Sequence, residues 1–358
     1  MKIKVLVIDD SSLIRSIITA IVNEQGDMMV VGAAPDPLVA RDMIRDLNPD
    51  VLTLDIEMPH MNGLSFLKRL MRARPTPVVM LSSHTQQGSD VAFRALALGA
   101  VDFVGKPVLG RDADSENYAR AIVEAIRGAY AARDKVRAAE VNPIPGVQPI
   151  LPALGDEAVA QERIVVMGGS TGGAEALREV LPALPADCPP ILVALHMPAA
   201  FTRHFAGRLD ALCKARVSVP VDGEPALPGH IYIAPGDAHM IVQRYGDRGF
   251  GIRLPEEAPR PSVDLLFRSA AREAGPDAIG VILTGMGVDG AEGLLEMRRA
   301  GAHTLAQDER SSIVFGMPRA AIEMGAAAQV VPAGQIARAV LAHLSGAGEA
   351  GGANVAAA

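Results

Sequence analysis

Short apolar runs alternate along the chain with segments in which apolar residues recur every three or four positions. The run IKVLVI at 3–8 is followed by a helical pattern that includes Leu13, Ile14, Ile17, Ile18 and Ile21. The alternation continues through the runs MMVVGAA, VLTLDI, PVVMLSS and VDFVGKP, with helices predicted near 37–47, 63–73, 89–98 and from about Glu116. Five such units predict a parallel sheet that is covered by helices on both faces.

A second series of the same kind begins after a proline-rich stretch. That stretch, NPIPGVQPILPALGDEA, contains four prolines and two glycines, which interrupt helices and central strands. Strands are then predicted in RIVVMGG, PILVALH, HIYIAP, AIGVILTG, AHTLAQ and QVVPA, and helices at 173–181, 201–215, 263–274, 289–300, 318–324 and 334–345. The sequence therefore predicts two doubly wound parallel-sheet α/β domains at 1–128 and 161–347, a linker at 129–160 and a disordered tail at 348–358.

Composition narrows the classes of function. A length of 358 residues with 49% hydrophobic and 21% charged residues is typical of a folded, soluble two-domain protein. The net charge of -7 and an aromatic content of 3% argue against a nucleic-acid partner. No apolar stretch predicts a signal peptide or membrane insertion. Cys188 and Cys213 lack the spacing of a zinc site or disulfide framework, so we expect a cytoplasmic protein.

Three carboxylates stand at the ends of predicted strands in the first domain. Asp9 and Asp10 follow one apolar run and Asp55 ends another, so all three should meet at one edge of a parallel sheet. A hard cation such as Mg²⁺ would relieve their repulsion, and Lys106 would add a positive charge. Any one of these aspartates alone is better explained by helix capping, but the four residues together suit the capture of a phosphoryl group by Asp55.

Residues 1 to about 128 resemble the receiver domain of two-component response regulators. The motifs that carry the resemblance are VLVIDDSSLIR, LDIEMPHMNGL, VVMLSS and LGAVDFVGKP. A flavodoxin-like fold is implied. The implied roles are Mg²⁺ binding by Asp9, Asp10 and Asp55, phosphorylation of Asp55, contact of Lys106 with the phosphoryl group, and a switch pair formed by Ser82 and Phe103.

The second domain opens with a glycine-rich turn, RIVVMGGSTGGAEAL, that contains Ser170. A phosphate cradle at the helix N-terminus is one interpretation, but neither the Gly-Lys-Ser/Thr of a P-loop nor the G-x-G-x-x-G pattern is present. Gly168-x-Ser170-x-Gly172 matches the form of a nucleophile elbow, in which small neighbours let the hydroxyl project. A helix-capping role for Ser170 remains the alternative.

A base and an acid for such a serine are available at other strand ends. His196 follows ILVAL, and Asp289 lies in LTGMGVDGAEG between a strand and a helix. A triad could form there, although its chain order differs from that of the α/β-hydrolases. The alternative bases are His204, His230, His239 and His303, with His239 in IAPGDAHM the strongest, and Asp237 is an alternative acid.

Residues 162 to about 347 resemble the catalytic domain of the chemotaxis methylesterase/deamidase (CheB) family. The resemblance rests on GGSTGG, LVALHMP, GHIYIAPGDAHM, RPSVDLLFRSAA, GVILTGMGVDGAEG and FGMPRAAI, and it implies a Rossmann-like domain. The implied roles are nucleophile for Ser170, general base for His196, orienting acid for Asp289, and oxyanion support by the Met286 backbone N–H with Thr171. Val288 departs from the family, in which asparagine is common at this position.

The two resemblances together imply a phosphorylation-activated hydrolase of bacterial chemotaxis. Its substrates would be glutamyl methyl esters and glutamines of methyl-accepting chemoreceptors, and ester hydrolysis would need no cofactor. A chemotaxis histidine kinase would phosphorylate Asp55, relieving a block that the receiver imposes on the catalytic cleft, and the enzyme would be recruited to chemoreceptor arrays.

Two functions of another class are alternatives. A transcriptional regulator is disfavoured by the acidic second half, which lacks a basic helix-turn-helix. A binding module that has lost catalysis is disfavoured by the presence of Ser170, His196 and Asp289.

Overall fold

The chain divides into two compact units between Ile144 and Pro145, and each unit has its own sheet. The structure, a computed structural model, describes residues 2–58, 61–83, 86–107, 112–138, 150–155, 162–246, 249–255 and 261–346. Among the described helices, none combines the length and the apolar character that crossing a bilayer requires.

The first unit contains a parallel sheet in the order β2-β1-β3-β4-β5. Its strands are β1 (Ile3–Ile8), β2 (Met28–Ala34), β3 (Val51–Asp55), β4 (Val78–Ser82) and β5 (Asp102–Gly105). Its helices are α1 (Ser12–Glu24), α2 (Pro37–Leu47), α3 (Gly63–Ala73), α4 (Gln86–Ala97), α5 (Asp112–Ala131) and α6 (Arg133–Ala138). Strands β3 and β4 are buried along their whole length, which explains why they appear in the sequence as continuous apolar runs.

Polar residues fix the starts of three helices near the carboxyl edge of this sheet. Ser11 caps α1, Asp36 caps α2 and Asn62 caps α3, each by accepting a hydrogen bond from a first-turn backbone N–H. Asn48 adopts a positive φ of 47° and ends α2, as asparagine tolerates this conformation. These caps set the loops that carry the acidic residues.

Helix continues past residue 128, where the sequence places the start of the linker. The buried apolar face of α5 includes Ile122, Ile126 and Ala129, and Ala132 just after the helix is also buried, so the helical pattern does not end at the predicted boundary. Helix α6 then reaches Ala138. Residues 139–149 and 156–160 of the predicted linker and the predicted tail at 348–358 lie outside the described residues.

The second unit contains a parallel sheet in the order β15-β14-β13-β6-β7-β10-β8. Its strands are β6 (Ile164–Gly169), β7 (Ile191–Leu195), β8 (Arg216–Ser218), β10 (His230–Ile233), β13 (Ala278–Ile282), β14 (His303–Gln307) and β15 (Gln329–Val331). The helices are α7 (Gly173–Val180), α8 (Ala199–Asp210), α9 (Val263–Glu273), α10 (Ala291–Arg299), α11 (Met317–Glu323) and α12 (Ala333–Leu344). Strands β13, β6 and β7 are consecutive in the sheet, and the three candidate catalytic residues follow them.

A small antiparallel sheet and one edge strand were not predicted. Strands β9 (Pro225–Ala226), β11 (Ile241–Arg244) and β12 (Phe250–Arg253) form the order β11-β12-β9, and β8 adds the edge. These four segments lack the continuous apolar run that marks the predicted strands: β8 is RVS, β9 is PA, β11 is IVQR and β12 is FGIR. Helix α8 also ends at Asp210 rather than near 215, and the Asp210 carboxylate accepts the N–H of Val217 on β8 at 2.7 Å.

Candidate active site and phosphorylation site

The register of the second sheet places Ser170 beside His196. Gly169 on β6 pairs with Leu195 on β7, so the next residue on each strand is Ser170 and His196, respectively. The backbone N–H of His196 donates to the Gly169 carbonyl at 3.1 Å, and that of Ser170 donates to the Thr284 carbonyl at 3.0 Å. The serine therefore lies between the segments that follow β7 and β13.

Glycines allow the backbone around Ser170 to pack closely. Gly172 has a φ of +80°, and a Cβ there would lie 2.7 Å from the Cβ of Ile313. A Cβ on Gly285 would lie 2.8 Å from the Cβ of Ser170. A side chain at either glycine would force the turn to move, which explains the small residues on both sides of the serine.

His196 and Asp289 form a direct pair. The Nε2 atom of His196 lies 2.8 Å from the Oδ2 atom of Asp289, and the histidine side chain is only 9% exposed. With Nε2 as the donor to the carboxylate, Nδ1 of His196 is the nitrogen that remains to accept a proton. The contact with Asp289 thus favours His196 among the candidate histidines of the sequence.

Asp289 is held by the N-terminus of α9. Its Oδ1 accepts from the Ser262 hydroxyl at 3.1 Å and from the Asp264 N–H at 3.0 Å, and its Oδ2 accepts from the Val263 N–H at 2.9 Å. Burial favours a higher pKa for Asp289, but the hydrogen bond and charge of His196 and these backbone donors hold its pKa well below the ordinary value. Asp289 is therefore a permanent negative charge at physiological pH.

The predicted oxyanion-supporting residues flank the serine. Met286 directly follows Gly285, at which an added Cβ would lie 2.8 Å from the Cβ of Ser170. Thr171 is buried, and its carbonyl oxygen lies 3.0 Å from the Thr284 hydroxyl, which also accepts the Val314 N–H at 2.9 Å. Thr284 therefore ties the serine turn to the segment after β13, a role that its place in the run ILTG did not indicate.

The rival residues occupy other positions. Nδ1 of His239 accepts the backbone N–H of Ser262 at 3.0 Å, and Asp237 is exposed. His230 stacks on Tyr232 with ring centroids 5.9 Å apart. Ser262 itself was missed, although a serine that precedes an apolar helical pattern is a common N-cap.

Val288, the residue that departs from the family pattern, is 69% exposed beside Asp289. Its side chain is not required to hold the His196–Asp289 pair, because the donors to Asp289 come from α9 and His196.

At the carboxyl edge of the first sheet, the predicted acidic cluster is present. Oxygen atoms of Asp9, Asp10 and Asp55 all lie within 4.8 Å of one another, with Asp9 and Asp55 buried and Asp10 exposed. Lys106 Nζ lies 2.9 Å from Asp9 Oδ2 and 2.8 Å from Asp55 Oδ2. This donor set of carboxylate oxygens fits a hard divalent cation such as Mg²⁺.

Burial dominates the electrostatics of this cluster. It raises the pKa of Asp55 to about 6, an effect that the Asp9 charge reinforces and Lys106 opposes. Burial alone would lower the pKa of Lys106, but its contacts with Asp55 and Asp9 raise it, so the ammonium stays charged. A cation beside these carboxylates would favour the ionised form of Asp55 that can attack phosphorus.

The two predicted switch residues lie on neighbouring strands. Ser82 ends β4 and is buried, and its carbonyl accepts the Lys106 N–H at 2.8 Å. Phe103 on β5 packs edge-to-face against Phe93 on α4, with ring centroids 5.3 Å apart. Ser82 thus lies directly beside the residue that contacts the acidic cluster.

Sequence comparison bears on both sites. The family profile of the CheB methylesterase matches residues 165–340, and that of the response regulator receiver domain matches 5–114. A protein-glutamate methylesterase/protein-glutamine glutaminase of Burkholderia lata is 54% identical over 360 residues, 97% of each chain. One from Cupriavidus metallidurans is 53% identical over 348 residues, 96% of each chain. The chain belongs to the CheB methylesterase family. The resemblance seen in the motifs is thereby confirmed.

Solved structures of the CheB family resemble each unit. The CheB methylesterase catalytic domain of Thermotoga maritima is 38% identical and covers 50% of this chain and 97% of its own, with a TM-score of 0.49. The response regulator domain of Thermotoga maritima CheB is 43% identical and covers 36% of this chain and 97% of its own, with a TM-score of 0.34. The two parallel sheets of the present structure confirm the predicted fold class.

Proposed function

We propose that this CheB-family chain is a phosphorylation-activated serine hydrolase that demethylates glutamyl methyl esters and deamidates glutamines of chemoreceptors. The observation that carries the site assignment is the His196–Asp289 contact of 2.8 Å at the strand end next to Ser170. The 54% identical relative, named as a methylesterase and glutaminase, supports the substrate class.

In the proposed reaction, the Ser170 hydroxyl attacks the γ-carbonyl carbon of the substrate side chain. Nδ1 of His196 takes the hydroxyl proton and returns it to the leaving methanol or ammonia. Water, deprotonated by the same nitrogen, then cleaves the acyl-enzyme and regenerates Ser170. Asp289 stabilises the imidazolium that forms in each half of the cycle, and its permanent charge suits that role.

The tetrahedral intermediates would place a negative charge on the former carbonyl oxygen. We assign the Met286 backbone N–H and Thr171 to its stabilisation, because both adjoin the serine turn. Donors of this kind are among the larger contributors in acyl transfer, and a metal is not needed for such chemistry.

Activation is assigned to the acidic cluster of the first unit. Asp9, Asp10 and Asp55 would hold Mg²⁺, which would neutralise the charge on the phosphoryl oxygens. The Asp55 carboxylate accepts the phosphoryl group, Lys106 contacts it, and the Ser82 hydroxyl together with Phe103 responds to it. The phosphodonor would be a histidine kinase, and recruitment to chemoreceptor arrays in the cytoplasm would bring kinase and substrate together.

The direct test is methanol release from methylated receptor membranes by the full chain, with and without a phosphodonor such as acetyl phosphate. We expect release that the phosphodonor stimulates, and ammonia release from receptors that carry glutamine. Absence of both products from well-folded protein would contradict the proposed function.

Replacing Asp289 with asparagine should lower the rate of methanol release by about 10⁴-fold. The amide would donate its N–H to Nε2 of His196, so the proton would sit on Nδ1 and that nitrogen could not accept another from Ser170. Measured kcat and the melting temperature check the prediction, with the exposed Asp237→Asn as the matched control. A loss smaller than tenfold would point to another acid.

Asp55→Asn should remove the stimulation by phosphodonor, because the amide cannot accept a phosphoryl group. Chelation of Mg²⁺ should have the same effect on the unchanged chain. An inactive state populated at 99% lies only about 2.7 kcal/mol below the active one, so phosphorylation-linked contacts at Ser82 and Phe103 can shift it. Rates with and without phosphodonor and Mg²⁺ provide the measurement, with the exposed Asp42→Asn as control. Stimulation that persists in Asp55→Asn would exclude this residue as the acceptor.

A further inference from the structure

A single loop contacts the surroundings of both members of the His196–Asp289 pair. The loop comprises residues 234–240 and connects β10 to β11. A Cβ on Gly236 would lie 2.3 Å from both the Met197 carbonyl oxygen and the Ala199 nitrogen, so the loop backbone packs closely on the segment that follows His196. The other end of the loop carries His239, which contacts the start of α9.

His239 acts there as a hydrogen-bond acceptor. Its Nδ1 receives the backbone N–H of Ser262 at 3.0 Å, which requires an unprotonated Nδ1 and, in the neutral ring, the proton on Nε2. Ser262 is the N-cap of α9, and its hydroxyl accepts the Leu265 N–H at 3.3 Å. The bond from His239 therefore restrains the backbone of the N-cap residue of α9.

Ser262 is the first residue of the segment that holds Asp289. The Ser262 hydroxyl and the Val263 and Asp264 N–H groups all donate to the Asp289 carboxylate, at 2.9 to 3.1 Å. A rotation of the Ser262 backbone would move all three donors together. The carboxylate would then no longer present Oδ2 to His196 at 2.8 Å.

We propose that His239 is a positioning residue for catalysis, in which Nδ1 holds the Ser262 N–H so that the α9 N-terminus aims Asp289 at His196. The inference rests on the proposed function of Ser170, His196 and Asp289. The inference gives a role to His239, which the sequence offered as a rival base. His239 contacts Ser262, and Ser262 in turn contacts Asp289.

The variants for a test follow from the acceptor geometry. His239→Ala removes the acceptor, whereas His239→Asn keeps one, because the asparagine Oδ1 occupies the same position along the side chain as Nδ1 of histidine. His230→Ala is the matched control, since its ring contacts Pro228 and Tyr232 rather than α9. All are made in the full chain and assayed with phosphodonor and Mg²⁺.

Two rates separate positioning from a purely structural role. We expect His239→Ala to lower kcat for methanol release by about 10- to 100-fold with KM within about twofold, as for a misplacement of catalytic groups. His239→Asn should restore most of kcat. Covalent labelling of Ser170 by a small fluorophosphonate, which does not depend on receptor binding, should slow in parallel in His239→Ala.

A double variant tests whether His239 acts through Asp289. In the Asp289→Asn background the further loss on adding His239→Ala should fall below about threefold, because the two residues serve one interaction. Equal labelling rates for His239→Ala and the unchanged chain would overturn the inference. So would equal loss in the Ala and Asn variants, or full additivity in the double variant. Absence of Ser170 labelling in the unchanged, folded chain would instead overturn the proposed function.

Discussion

Ser170→Ala is expected to reduce methanol release by about 10⁶-fold, since removal of the nucleophile of a serine triad costs roughly this much in kcat. Any residual rate would come from the oxyanion donors acting on a water molecule. The change removes one half-buried hydroxyl. Backbone hydrogen bonds hold Ser170 in position: its N–H donates to the Thr284 carbonyl, and its carbonyl accepts the Gly173 N–H. We therefore expect an unchanged melting temperature and normal phosphorylation of Asp55.

The assay for this variant is kcat for methanol release, together with labelling by a fluorophosphonate. Labelling should disappear, which identifies the modified atom as the Ser170 oxygen. Ser218→Ala on the edge strand β8 is the matched control. It removes a hydroxyl from the same sheet, and strands β7 and β10 lie between β8 and β6. Turnover by Ser170→Ala within about tenfold of the unchanged chain would exclude the serine mechanism.

The sequence predicted that the candidate catalytic residues would meet at one edge of the sheet, because strand ends carry the chemistry in this fold. Ser170, His196 and Asp289 each follow an apolar run, and parallel strands bring their carboxyl ends to one edge. It did not predict that β13, β6 and β7 are neighbours. Strand order depends on long-range pairing, which leaves no local pattern.

The choice among histidines also required the structure. His196 and His239 both come after a predicted strand, and each lies between an apolar residue and a methionine. The two histidines differ in their long-range contacts. His196 contacts Asp289, 93 positions away, whereas His239 contacts Ser262, 23 positions away. Beforehand, only the motif resemblance favoured His196 over His239, and it offered no physical reason.

The scaffold around Asp289 was missed for a related reason. Ser262 has the signature of an N-cap, which predicts where α9 begins but not which carboxylate the first turn will receive. The small antiparallel sheet formed by β9, β11 and β12 was missed because its short strands, PA, IVQR and FGIR, contain no continuous apolar run. In both cases the information lies in tertiary contacts between short segments.

His196→Gln should match Ser170→Ala in its loss of about 10⁶-fold in kcat, because nucleophile and base act as one unit. The glutamine amide can donate to Asp289 Oδ2 from nearly the position of Nε2, so the pair and the fold should persist. What the variant lacks is a basic nitrogen where His196 now has Nδ1. The loss is therefore chemical, and the melting temperature should stay close to that of the unchanged chain.

His239→Gln provides the comparison that ranks the two histidines. Its loss should be smaller by several powers of ten, since His239 reaches the reaction only through Ser262 and Asp289. Methanol release and fluorophosphonate labelling, measured for both variants at several pH values, give the ranking. Equal losses would leave the general base unassigned. A larger loss in His239→Gln would transfer that role to His239, and the contact between His196 and Asp289 would then need a structural explanation.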